Sequence, residues 1–107
     1  MIFVAMQIRA RPDCADRLSA AMSDMMAASR QDAGCVTYTY SRALNDPDLF
    51  HLCEIWQDRP VMLAHIDQPH SVAFVTTLKA TATFESVRAY EGDVAKTRIP
   101  EPGTSGA

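Results

Sequence analysis

The sequence predicts an α+β domain: a ferredoxin-like split βαβ arrangement with a four-stranded antiparallel sheet and helices on one face. Three observations predict it. The order strand, helix, strand occurs twice within 107 residues. The strand-like segments are β-branched and aromatic, or alternate with a period of two. The second and third of them are joined by hairpin turn residues rather than by a crossover. With 48% of residues apolar and 21% charged, the chain fits one core and has little room for a second.

Strand one is expected over Ile2 to Ala10, where Ile2, Val4, Met6 and Ile8 make one apolar face and Phe3, Ala5, Gln7 and Arg9 a mixed one. Pro12 and Asp13 then open a helix to about Asp32, with Leu18, Met22, Met25 and Ser29 forming the inward stripe at i, i+4, i+7 and i+11. Gly34 sits just past its end, where a left-handed residue stops a helix. Cys35 to Leu44 and Leu49 to Gln57 form a hairpin about the turn residues Asn45, Asp46, Pro47 and Asp48. Asp58 caps a short helix that has Pro60 in its first turn and runs past Val61, Met62 and His65. A further helix starts near Asp67 and Pro69 and carries Phe74, Val75 and Leu78, and strand four follows from Ala82 to Tyr90. The domain is thus expected over 1–92. Residues 93–107, rich in Pro, Gly and Ser, read as a flexible tail.

Composition excludes some functions. Ten Lys and Arg against thirteen Asp and Glu give a net charge of −3, with no basic stripe, so no nucleic-acid partner is expected. No apolar run approaches the roughly 20 residues of a membrane helix, and the N-terminus enters a strand without a charged leader. No membrane association and a cytoplasmic location are therefore expected. Cys14, Cys35 and Cys53 are odd in number and widely spaced, which points to buried or half-buried thiols rather than disulfides or a thiolate metal site. A sheet with helices on one face needs cover on the other, and a second copy of the chain supplies it, so a homodimer is expected.

The run Glu54, Ile55, Trp56, Gln57, Asp58, then Leu63, Ala64, His65, then Gln68, Pro69, His70, resembles the E-x-W-x-[DE], x-L-x-x-H, x-P-H pattern of the antibiotic biosynthesis monooxygenase family. Ala28, Ser29, Arg30, Gly34, Cys35, Tyr38 and Tyr40 are similar to the family's passage from first helix to second strand. The resemblance spans about residues 1 to 91. It implies a dimeric α/β barrel, and for activity it implies oxidation of a quinol, an anthrone or a similar electron-rich aromatic by dioxygen with no cofactor. The family also includes an isomerase of a phosphorylated signal and haem-degrading enzymes, so isomerisation, simple binding and haem chemistry are the alternatives.

Each candidate residue has a structural reading beside the functional one. Trp56 either anchors the core or forms a pocket wall whose N–H binds a substrate oxygen. Glu54 is either paired in a salt bridge or faces the pocket, as a proton acceptor or an orienter of histidine. His65 and His70 are both expected to point inward, each either a hydrogen-bonded core histidine or the base. His70 lies in a helix first turn, where the dipole favours neutral imidazole. Tyr38 and Tyr40 share one face of strand two and line either a pocket, as substrate contacts, or the dimer seam. Phe74 is a further candidate substrate contact, and so is Gln7, which stands where the haem-degrading relatives have Asn. His51 is assigned no role. Metal binding by His65, His70 and Glu54 is not expected, because an i, i+5 spacing puts the histidines on different sides of a helix turn. Arg9, Arg42 and Arg88 are the cations available for an anionic substrate.

Overall fold

The computed structural model describes residues 1–104. Its elements are β1 (Ile2–Ala10), α1 (Ala15–Ser29), β2 (Cys35–Ala43), β3 (Asp46–Trp56), α2 (Arg59–Ile66), α3 (Pro69–Thr81) and β4 (Ala82–Glu91). The strands form one antiparallel sheet in the order β2-β3-β1-β4. This is the ferredoxin-like order, with the two βαβ halves interleaved so that β1 and β3 are central.

The period-2 pattern decides which face is buried. Ile2, Val4, Ile8, Phe50, Leu52, Glu54, Trp56, Tyr38 and Tyr40 all turn toward the helices and are buried. From α1 the buried residues are Leu18, Met22, Met25 and Ser29, the stripe predicted from helical spacing. α3 adds Phe74 and Leu78. Burying a side chain of the size of Leu18 or Met22 contributes roughly 1.5–3 kcal/mol, more than the spread of helix propensity over several residues, so sheet packing rather than propensity holds α1 in place.

Several boundaries differ from expectation. α1 starts at Ala15, because Arg11 N–H is bonded to Thr81 O and Cys14 N–H to Arg11 O, and Asp13 between them is left-handed at φ 62°. Its regular part ends at Ser29. Gln31 and Asp32 then bond back to Ala28 and Ser29, tight i−3 turns that lead to Gly34 at φ 78°. β3 begins at Asp46 rather than Leu49, its first residues wrapped by the Asp48 N–H bond to Asp46 Oδ1 (3.1 Å). The Asp58 cap is as expected, its Oδ1 accepting from Val61 N–H at 3.0 Å.

The other sheet face carries no helix. It presents Phe3, Ala5 and Gln7 of β1, His51 and Cys53 of β3, and Arg88 and Tyr90 of β4. Cys53 is exposed there, against the expectation of three buried or half-buried thiols; Cys14 and Cys35 are half-buried. In β4 one residue is extra: Gln7 pairs with Ser86 but Ile8 with Phe84, so Glu85 bulges and its carboxylate takes the Arg9 guanidinium. Phe84 and Val87 consequently both face the helix side, although they are three residues apart. Residues 93–104 contain no helix or strand and are exposed, while the end of the expected tail, 105–107, lies outside the described residues. Among the described residues no helix is long and apolar enough to cross a membrane.

Candidate functional site

Between the helices and the inner sheet face is a cavity of about 290 Å³, lined mostly by apolar side chains. Tyr38 and Tyr40 of β2, Glu54 of β3, His65 of α2 and Phe74 of α3 form its functional wall, while Phe84, Val87 and Val75 border its mouth. Sequence reasoning singled out the first five residues, and the fold brings them together. Tyr38 and Tyr40 meet edge to face at 5.7 Å, and Phe74 lies 5.7 Å from Tyr40. The lining contains no Lys or Arg.

His65 is 5% exposed and is fixed from two sides. The indole of Trp56 stacks against it with ring centres 4.4 Å apart and planes inclined by 31°. Its Nδ1 lies 2.8 Å from Asp32 Oδ2. A carboxylate can only accept, so Nδ1 carries the proton and the Nε2 lone pair is left without a partner among the described residues. Ser71 Oγ donates to the His65 carbonyl at 2.6 Å and closes the end of α2.

Trp56 is fully buried behind this histidine, not in the cavity wall, and its N–H is given to Glu54 Oε1 at 2.7 Å rather than held free for a substrate. Glu54 is 7% exposed. Burial pushes its carboxyl above the usual carboxylate range, while the indole bond and the nearby His65 pull it part of the way back. Burial likewise raises the Tyr38 phenol to about 12, and the Tyr40 phenol well above its ordinary value. Both tyrosines stay neutral donors at any working pH.

The Glu54 shift sets a pH dependence. A carboxyl raised on folding adds stability below its unfolded value of 4.5, and this is lost as pH rises through the folded value. Glu54→Gln keeps the acceptor for Trp56 but cannot ionise. The variant should therefore gain on the wild type as pH rises above 4.5, as read from denaturant midpoints at a series of pH values. A constant difference across pH would show that Glu54 ionises without penalty.

Sequence reasoning missed Asp32, which it named only as the approximate end of the first helix. The tight turns after Ser29 swing Asp32 toward the α2–α3 junction, where its Oδ2 also lies 2.8 Å from His70 Nε2. The available signal was indirect: two histidines read as inward need hydrogen-bond partners, and a carboxylate in the turn before Gly34 is one group that can supply them. The helix-spacing reason for keeping His65 and His70 apart does not hold, since the helix is broken at Asp67 and Gln68. The two rings stand 6.0 Å apart, one ending α2 and the other starting α3.

His70 itself is half-buried and lies outside this cavity, in an open groove between α1 and α3 with Asp24, Met25 and Ala28. Gln7 is also separate. It lies on the helix-free sheet face beside His51 and Arg88, because Met6 takes the inward position of β1. Arg9 is held by Asp46 and Glu85, and Arg42 lies 3.7 Å from Asp16 and over the Phe50 ring.

Comparison with known proteins agrees with the fold. A crystal structure from Deinococcus radiodurans, provisionally assigned as an antibiotic biosynthesis monooxygenase, superposes with a TM-score of 0.83 at 26% identity, covering 94% of this chain and all of that one. A Pseudomonas aeruginosa protein gives 0.75 at 25% identity, over 88% and 94% of the two chains. A Bacteroides thetaiotaomicron protein of unknown function gives 0.79 at 23% identity over 85% and 96%, and shows the fold alone. An uncharacterised Synechocystis protein is 27% identical over 74 residues, 69% of this chain, and the chain spans about half the length of that relative. The model of the antibiotic biosynthesis monooxygenase family matches residues 1–77, which include Asp32, Glu54, Trp56, His65 and His70, and the chain belongs to that family.

Proposed function

We propose that this chain is a cofactor-independent monooxygenase that oxidises a quinol, an anthrone or a similar electron-rich aromatic with dioxygen. The observation that carries the proposal is the His65 imidazole, set in the wall of an apolar cavity with Nδ1 held by Asp32. An imidazole so held is a general base of fixed tautomer. Deprotonating a hydroquinone or anthrone in a dry site gives an anion electron-rich enough to reduce dioxygen itself. A C–H bond of the substrate is replaced by a bond to one oxygen atom, the O–O bond breaks, and the other oxygen leaves as water with two hydrogens from the substrate, which is the sole reductant and gives up four electrons in all.

In this reading His65 takes the proton, Asp32 orients it, and Tyr38, Tyr40 and Phe74 hold the flat substrate. Glu54 and Trp56 support the base from behind, and His70 acts only through Asp32. The uncovered sheet face supports a homodimer, and the protein works in the cytoplasm. No observation favours the alternatives. A phosphorylated substrate finds no cation in the cavity lining, and the haem-type set is not assembled because Gln7 lies on the opposite sheet face.

The test is oxygen uptake by the purified protein with a panel of hydroquinones and anthrones, against the spontaneous rate. Uptake well above background that falls in Tyr38→Phe and Phe74→Ala variants is the expected outcome. Background rates with every substrate would sink the oxygenase reading.

A further inference from the structure

We propose that Asp32, His65 and His70 form a binding site for one divalent transition-metal cation of the Zn²⁺ type. The three side chains come from three separate segments: the α1–β2 loop, the last turn of α2 and the first turn of α3. Their donor atoms all lie within 4.8 Å of one another, and Asp32 Oδ2 is 2.8 Å from each histidine nitrogen. Tetrahedral Zn²⁺ with bonds of ~2.0–2.1 Å spaces its donors about 3.3 Å apart. Asp32 stands at hydrogen-bonding distance from both nitrogens, so admitting the ion requires its carboxylate to draw back by about half an ångström while the two nitrogens come together.

Two imidazoles and one carboxylate suit Zn²⁺, Co²⁺, Ni²⁺ or Cu²⁺, whereas Mg²⁺ and Ca²⁺ prefer oxygen alone. Three protein ligands leave a fourth position for water. The setting fits as well. His65 is buried and Asp32 13% exposed, which fixes two ligands, while His70 is 27% exposed and lines the open α1–α3 groove, giving an ion a way in from solvent. Binding requires lone pairs where the two N–H groups now point at Asp32, so each ring shifts its proton to its other nitrogen.

That shift has a consequence for catalysis, which rests on the oxygenase reading. With the ion on Nδ1, the remaining proton of His65 sits on Nε2, the nitrogen needed as the base. An occupied site therefore holds the enzyme inactive, and a chelator releases it.

The experiment is calorimetric titration of the metal-free full chain with Zn²⁺, paired with Co²⁺ absorption. One equivalent is expected to bind, with weak visible bands and no thiolate charge-transfer band. Losing a second-sphere partner of a metal costs 10- to 100-fold in affinity, so removing a direct ligand in Asp32→Asn or His70→Ala should cost more than about 100-fold. Cys53→Ser, which removes the exposed thiol, should change nothing. Circular dichroism confirms that each variant is folded, and His70, half-exposed, is the safer of the two. No binding by the wild type, binding that survives His70→Ala, or binding lost in Cys53→Ser overturns the site. Oxygen uptake with and without Zn²⁺ separates the two proposals: binding without inhibition leaves the site standing and removes His65 as the base, while activity without any binding does the reverse.

Discussion

His65→Gln should lower turnover of the preferred hydroquinone or anthrone by roughly 10²- to 10⁴-fold, the usual contribution of a positioned general base. Glutamine approximates the size of the ring and keeps an N–H to offer Asp32, but has no basic nitrogen to present to the cavity. The loss should fall on kcat more than on KM, because the aromatic walls from Tyr38, Tyr40 and Phe74 are untouched. His70→Ala should cost much less, since that ring lies in the α1–α3 groove and reaches the cavity only through Asp32. Steady-state oxygen uptake measures both. Turnover unchanged in the His65 variant would remove it as the base, and a larger loss from His70→Ala would move the base to the groove.

Gly34→Ala should destabilise the fold by about 2–5 kcal/mol, from two sources. Gly34 has φ 78°, where a Cβ costs roughly 1–2 kcal/mol. A Cβ built there would also lie 2.5 Å from Val61 Cγ2 and 2.7 Å from Val61 Cβ, an overlap with the branched root of a side chain rather than with a flexible end. Relieving such an overlap costs a further ~1–3 kcal/mol. A domain of this size loses several degrees of melting temperature per kcal/mol. Adding Val61→Ala should recover part of the loss by removing the clash while leaving the backbone cost. A Gly34→Ala protein as stable as the wild type would mean that the loop moves freely away from α2. Such a loop could not hold Asp32 in place.

Much of the fold was legible because its signals are local. Alternation in β1 and the i, i+4, i+7, i+11 spacing of Leu18, Met22, Met25 and Ser29 set the buried faces directly. The hairpin and the Asp58 cap follow from turn and capping chemistry. Element starts were less legible where a tertiary bond decides them, as with the Arg11 bond to Thr81 that delays α1.

The site was half legible for the same reason. Tyr38, Tyr40 and Glu54 reach the cavity by strand parity and His65 and Phe74 by helical spacing, both of which sequence carries. Gln7 fails on that parity, being odd in a strand whose even positions are inward. Trp56 has the right parity but is packed out of the cavity by His65, a contact between elements that no periodicity encodes. Asp32 depends on a loop conformation, and the spacing of His65 and His70 was misleading because a break between helices resets the angular count.

The bulge in β4 has its own consequence for how this cavity can be reshaped by changes in chain length. Glu85 is a spare residue. Its removal would leave Phe84 and Val87 separated by two, still on the cavity side and still in register with Ile8 and Met6, at the cost of one Arg9 ion pair. Removal of Arg88 would instead force one half of the strand to exchange its faces, sending either Val87 or Ala89 out of the cavity wall. The rim of the cavity should therefore accept a deletion at one position in β4 and reject it three residues later, a pattern that substitutions along the same strand would not reveal.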